Sequence, residues 1–394
     1  MMKNFSYYTP TQVVFGRGAE DKVAEMVQQY GGTKVLLHYG GRSAVRSGLL
    51  QKVENQLAAA GIDYVTLGGV VPNPRLSLVH EGIALCRKEG VDFLLAVGGG
   101  RVIDSCKAIG YGVPYEGEVW DIYLGKHKPT ASLPLGVVLT IPAAGSEMSD
   151  SSVITNEDGG IKLGTNSNLC RARFAIMDPE RTYSLPAWQT ACGVTDIIMH
   201  TMERYFSKDT DAEITNALAE GLMRTLITEG TKVMADPQNY EARANIMWAG
   251  SLSHNGLTGC GNGCDWATHK IEHELSGMFD VSHGAGLAAI WGSWARYSRE
   301  ENMARFVRFA RNVMQIDTTG MSELEASEAG IVAMESFFRS LGMPTDIHTL
   351  LGREVTEAEM AEMAKKCTCG NTKTVGGLRV LGEADVLAIY HLAR

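Results

Sequence analysis

Residues 91–100 read VDFLLAVGGG, and this stretch constrains the fold more than any other. Val91 to Val97 is a short, almost wholly apolar run. That pattern suits a strand buried on both faces, as in a parallel sheet. Gly98, Gly99 and Gly100 follow it directly, and a helix pattern begins near Val102-Ile103-Asp104. A strand, a glycine turn and a helix start let backbone N–H groups approach an anion, with the helix dipole favouring negative charge. The run is not the G-x-G-x-x-G dinucleotide fingerprint, because Ile103 stands where the third glycine belongs. Taken alone, the three glycines fit a tight turn as well as a phosphate loop.

The same alternation recurs through the first half. Gln12–Phe15, Thr33–Tyr39, Ile62–Leu67, Leu135–Ile141 and Phe174–Met177 read as further strands, with helices after most of them. Strands alternating with helices predict a parallel sheet covered on both faces, a Rossmann-like α/β domain. After Asp178–Pro186, a turn-rich link, strand patterns stop. Ile214, Leu218, Leu222 and Leu226 step by four, with Asp211 and Glu213 placed in the first helical turn. Phe306, Val307, Ala310, Val313 and Met314 show the same period. The prediction is residues 1–186 as a dinucleotide-binding domain and 187–394 as an all-helical metal- and substrate-binding domain.

With 44 glycines in 394 residues, well above the ~7% average, several tight loops or close ligand approaches are expected. A net charge of −9 without a Lys/Arg block argues against nucleic acid and anionic membrane as partners. The eight cysteines are scattered, unlike a secreted disulfide framework. With no apolar leader-like segment and no ~18-residue apolar run, the expectation is a soluble, cytoplasmic protein.

Chemistry concentrates in Asp265–Gly286, which holds His269, His273 and His283. His269 and His273 are four apart and share a helix face. Upstream, GVTDIIMHTMERY puts Asp196 and His200 four apart in apolar surroundings, where each is costly to bury unless paired or metal-bound. An Asp–His hydrogen bond alone would explain that pair. Together, however, Asp196, His200, His269 and His283 offer one oxygen and three nitrogen donors. That set suits a divalent Fe, Zn, Mn or Ni ion with an open position. On the nucleotide side, Gly40-Gly41-Arg42-Ser43-Ala44-Val45-Arg46 carries no acid to accept from a ribose 2′-OH. Arg42 and Arg46 suit a 2′-phosphate, which favours NADP(H), although two solvated arginines would look the same.

These residues resemble the group III, iron-activated alcohol dehydrogenase family, in its butanol dehydrogenase / NADPH-dependent aldehyde reductase branch. The resemblance runs nearly end to end through TPTQVVFGRG, YGGRSAVRSG, PNPR, FLLAVGGGRVID, LTIPAAGSE, MDPERTYSLP, GVTDIIMH, DWATHKIEHEL and SHGAG. It implies a dehydroquinate synthase-like two-domain architecture with substrate in the cleft. It implies Asp196, His200, His269 and His283 as ligands of Fe2+ or Zn2+ (Mn2+ or Ni2+ being alternatives). His273 is placed near the nicotinamide, as the group relaying a proton through water. The cofactor set comprises Gly40, Gly41, Arg42, Ser43, Arg46, Asn73, Gly98, Gly99, Gly100, Asp104, Thr140 and Lys162. The implied reaction is hydride transfer between NADP(H), with NAD(H) possible, and a primary alcohol/aldehyde pair, the metal acting as Lewis acid. The family's dimers pair N-terminal strands, giving Gln12–Phe15 a role. Two positions depart from the family pattern: Arg101 replaces the usual Ser after the glycines, and Ala144 replaces a common Thr.

Two rivals stand beside this reading. His269-Lys-Ile-Glu272-His273 fits the H-x-x-E-H peptidase motif, with Glu272 as base and Glu354 or Glu357 as a distant ligand. That reading leaves Asp196, His200, His283 and the glycine loop without a purpose. A lyase of the dehydroquinate synthase type would share the architecture but calls for Lys and Arg clustered near the metal.

Overall fold

The computed structural model describes residues 2–209 and 211–394, with all side chains in that range except those of Arg42 and Ser43. The chain forms two compact units: Tyr8–Ser184, and Met1–Tyr7 together with Leu185–Arg394.

In the first unit the elements run β1 (Gln12–Phe15), α1 (Val23–Gln29), β2 (Lys34–Tyr39), α2 (Arg42–Arg46), α3 (Leu49–Ala59), β3 (Asp63–Leu67), α4 (Leu76–Glu89) and β4 (Phe93–Gly98). They continue with α5 (Gly100–Gly112), α6 (Trp120–Tyr123), β5 (Leu135–Leu139), β6 (Ser151–Asn156), β7 (Ile161–Asn166) and β8 (Phe174–Met177). Six strands pair in the order β1-β8-β5-β4-β2-β3, every neighbour parallel. Every residue of β4, β5 and β8 is buried, which is why those runs are continuously apolar and not alternating. Val35, Leu37, Phe93, Leu95 and Val97 share one core with α1 and α3. The intervening Leu36, Leu94 and Ala96 are equally buried and face the opposite side, where α5 packs on β4. Helices therefore cover both faces of the sheet.

One element departs from the sequence reading. Ser151–Asn156 and Ile161–Asn166 form an antiparallel hairpin outside the main sheet. Its polar, glycine-bearing sequence carries weak strand propensity. Contacts with α5 hold it instead.

The second unit is helical: α7 (Ala187–Tyr205), α8 (Glu213–Ala235), α9 (Tyr240–His254), α10 (Ala267–Phe279), α11 (His283–Ser298), α12 (Met303–Asn312), α13 (Glu323–Ser340), α14 (Ile347–Leu351), α15 (Glu357–Cys367) and α16 (Glu383–Ala393). Its core runs from Ala191 to Ala393, with Trp291 and Trp294 fully buried. On α8 only the second half of the four-residue stripe faces the core: Ile214 is 69% and Leu218 42% exposed, while Leu222 packs against the core and Leu226 is buried. Steps of four drift about 40° per step around a 3.6-residue helix. The packed face runs through Thr215, Ala219, Met223, Leu226 and Val233 and meets the stripe at Leu226. Asp211 also lies outside the helix, which starts at Glu213. No helix among the described residues is long and apolar enough to cross a membrane.

Candidate metal and cofactor sites

Asp196 and His200 sit on α7 with Glu203, at i, i+4 and i+7, so all three project from one helix face. Around them Ile197, Ile198 and Met199 are buried. His269 lies in the first turn of α10, and His283 opens α11, three residues after the left-handed Asp280 that ends α10. Gly284 sets how closely α11 approaches α7, since a Cβ there would meet the Cys192 carbonyl oxygen at 2.2 Å.

Three imidazole nitrogens surround one carboxylate oxygen. Oδ1 of Asp196 stands 3.4 Å from Nδ1 of His200, 3.8 Å from Nε2 of His269 and 3.7 Å from Nε2 of His283. Oδ1 of Asp196, Nδ1 of His200 and Nε2 of His269 are buried and have no hydrogen-bond partner. Unanswered buried polar atoms are costly. Donors held ~2.1 Å from an ion in tetrahedral array stand about 3.4 Å apart, so the spacing suits a shared cation better than direct hydrogen bonds. The residues fit a divalent metal.

Carboxylates behind the ligands prepare them. Glu203 Oε1 accepts from both the backbone N–H (2.9 Å) and Nδ1–H (2.8 Å) of His269. Glu272, fully buried, accepts from Nδ1–H of His283. A carboxylate accepts only, so in its neutral form each imidazole carries its proton on Nδ1 and can offer its Nε2 lone pair to an ion. Burial pushes Asp196 upward, but the imidazoles of His200, His269 and His283 outweigh it and hold the carboxyl well below its usual range. Burial also drives His200 well below its ordinary value, keeping its lone pair available. For His269, burial is outweighed by Asp196 and Glu203, which raise it to about 9, so an ion taking its Nε2 would displace a proton. Sequence reasoning gave Glu203 no role and cast Glu272 only as a peptidase base. The signal for Glu203 was present in the i+7 spacing from Asp196.

His273 is half-buried, its ring 5.5 Å from that of His283 and 6.5 Å from that of His269. It stands outside the four-donor set, although Glu272, His273 and His283 form a second cluster of potential ligands. The peptidase reading finds no support. Glu272 is engaged by His283, while Glu354 pairs with Arg394 and His348, and Glu357 with His391.

In the other unit, the carboxyl ends of three adjacent strands meet. Tyr39 of β2 pairs with Val97 of β4, and Gly98 pairs with Leu139 of β5. Gly40-Gly41, Gly98–Gly100 and Thr140 therefore line one edge, and Thr140 N donates to Gly98 O (3.0 Å). Ligands bind at such carboxyl ends, at the point where strand order reverses. The glycines answer to space, not to unusual φ. A Cβ on Gly98 would meet Val102 Cγ2 at 2.5 Å, and one on Gly100 would meet Ala144 Cβ at 2.8 Å. Gly99, extended, caps α5.

The remaining expected contacts are scattered around this edge. Asn73 has a left-handed backbone (φ 54°) in the loop before α4. Arg46 ends α2, exposed. The side chains expected to contribute at Arg42 and Ser43 lie outside the described ones. Asp104 is engaged internally: Oδ1 accepts from Ser146 Oγ (2.6 Å) and Oδ2 from Val153 N (3.0 Å). Burial raises its carboxyl, against the charges of Lys107 and, more weakly, Lys162. Lys162 is half-buried on β7.

Two family models match the chain. "Iron-containing alcohol dehydrogenase" covers residues 10–179, and "Fe-containing alcohol dehydrogenase family, C-terminal" covers residues 190–393. The chain is 40% identical to the probable NADH-dependent butanol dehydrogenase 1 of Bacillus subtilis, over 98% of its own length and 99% of the relative's. It is 38% identical to the NADPH-dependent aldehyde reductase YqhD of Escherichia coli, over 88% and 89%. Among solved structures, NADH-dependent butanol dehydrogenase A of Thermotoga maritima superposes with a TM-score of 0.95 at 38% identity, over 100% of this chain and 99% of that one.

Proposed function

This chain belongs to the iron-containing alcohol dehydrogenase family of metal-dependent alcohol/aldehyde oxidoreductases, and we propose that Asp196, His200, His269 and His283 hold its divalent ion. The observation that carries the assignment is the convergence of three buried, unpartnered donor atoms with His283 Nε2. A divalent ion there would supply Lewis acidity to an aldehyde carbonyl, and a bound nicotinamide would supply the hydride. The donors are oxygen and nitrogen only, which suits Fe2+ or Zn2+.

The chain's own groups do the rest. Glu203 and Glu272 fix the tautomers of His269 and His283. His273 would relay the proton that reaches the product oxygen through water. Gly40, Gly41, Gly98, Gly99, Gly100 and Thr140 form the edge that receives the dinucleotide, with Arg42, Ser43, Arg46, Asn73, Asp104 and Lys162 around it. The N-terminal sheet unit would carry the cofactor and the helical unit the metal and substrate.

NADP(H) is the preferred cofactor in this reading, with NAD(H) accepted. Relatives named for NADH and for NADPH match at similar identity, so Arg46 beside the glycine pair is the supporting feature. A homodimer is supported by β1, which ends the sheet with its outer edge unpaired among the described strands. Eight free cysteines suit the cytoplasm.

The test is turnover of butanal by metal-reconstituted enzyme with NADPH and with NADH. Oxidation of NADPH faster than NADH is expected; oxidation of neither would end the assignment.

A further inference from the structure

Arg101 is the second residue of α5, directly after the glycine loop, and is half-buried. It is an unfavourable place for a guanidinium. The start of a helix carries partial positive charge, which repels a cation in the first turn. Burial lowers the pKa of Arg101, and no acid among the described residues offsets it. The first turn of α5 holds no acid. Asp104, the next carboxylate along the helix, is engaged through Oδ1 by Ser146 Oγ and through Oδ2 by Val153 N.

The backbone sets where this side chain can reach. Helical side chains lean towards the N-terminus and cover the turn before their own Cα. For the second residue of α5, that turn is the glycine loop. The start of α5 lies over two strand ends. A Cβ on Gly98, the last residue of β4, would meet Val102 Cγ2 at 2.5 Å, and one on Gly40, just past β2, would meet the same atom at 3.5 Å. Ser105, one turn further along the same helix face as Arg101, meets His38 of β2 through Oγ at 2.9 Å. Arg101 therefore stands at the strand edge assigned to the dinucleotide, beside Gly40. The amides of Gly100 and Arg101 have no acceptor within the helix and face the same edge.

An anion at the helix start would answer the dipole, the free amides and the guanidinium together. A nicotinamide dinucleotide offers two candidates, the pyrophosphate and, in NADP(H), the 2′-phosphate. A pyrophosphate seated on the amides of Gly100 and Arg101 lies within the turn that the Arg101 side chain covers, whereas Arg46 at the end of α2 suits the 2′-phosphate. We propose that Arg101 binds the cofactor pyrophosphate, adding an affinity common to NADPH and NADH and independent of the 2′-phosphate. This rests on the dinucleotide edge assigned above.

The test is calorimetric binding to metal-reconstituted enzyme, without substrate, of NADPH, NADH, ADP and adenosine 2′-monophosphate. Arg101→Ser should raise Kd for NADPH, NADH and ADP by a common factor of about ten, the scale of one charge-assisted contact. Adenosine 2′-monophosphate, which has no pyrophosphate, should bind the variant as it binds the wild type, and this also shows that the variant is folded. Arg101→Lys, which keeps the charge, should lose about threefold or less. Unchanged Kd values in Arg101→Ser would overturn the proposal. So would a loss confined to NADPH and adenosine 2′-monophosphate, which would place the guanidinium on the 2′-phosphate. A wild type that binds neither dinucleotide would overturn the cofactor assignment and the proposal with it.

Discussion

Glu203 shows how much of the site's chemistry sits one layer behind the ligands. Its carboxylate fixes the His269 tautomer by accepting from Nδ1–H, and it also accepts from the His269 backbone N–H. Glu203→Ala should weaken metal binding about 10–100-fold, read as metal content after dialysis against graded chelator. His273 is expected to behave differently. His273→Asn should keep its metal but lose rate; an unchanged kcat would remove the relay role. On the nucleotide side, Arg46→Ala should reduce the ratio of kcat/KM for NADPH over NADH by about tenfold, the value of one charge-assisted contact. The candidate ligands were readable as residue types at helical spacing. Which imidazole nitrogen faces the ion was not, because that depends on Glu203 and Glu272. Those acids come from α7 and α10, and their partners from α10 and α11.

At the scale of elements, apolar strands and helix periods gave away the parallel sheet, since burial on both faces writes itself into β4, β5 and β8. The β6–β7 hairpin stayed hidden because polar side chains and contacts with α5 hold it. Lys107 of α5 is one of those contacts: 1% exposed, its Nζ donates to the carbonyls of Ser146, Ser149 and Ser151. The stripe on α8 misled because spacing alone does not reveal which face a neighbour covers. His38 gives a prediction at this scale. On β2, its Nδ1 contacts Leu67 O at the end of β3 and its Nε2 contacts Ser105 Oγ of α5. Burial lowers its pKa to about 4, against the Leu67 hydrogen bond. The unfolded chain, titrating near 6.5, therefore binds the proton first as pH falls. Stability from this residue is present above about pH 6.5 and lost towards pH 4, by about 3 kcal/mol in all. Urea midpoints of wild type and His38→Gln should draw together over that window. A gap independent of pH would contradict the assignment.

At the scale of the whole molecule, the chain forms two units, one with a glycine-lined strand edge and one with a buried donor cluster. Which donors hold the ion is the central question, since His283 Nε2 stands 3.7 Å from Asp196 Oδ1 while His283 also groups with Glu272 and His273. The two groupings make different demands. In one, His283 Nε2 joins Asp196, His200 and His269. In the other, Glu272 and His273 would take the ion, and the tautomer-fixing contact from Glu272 to His283 would be given up. The direct measurement is anomalous diffraction at the metal edge from crystals of reconstituted enzyme. One peak per chain is expected, about 2.0–2.2 Å from the Asp196 carboxylate and from ring nitrogens of His200, His269 and His283. A peak on Glu272, His273 and His283 instead, or no peak in active enzyme, would contradict it.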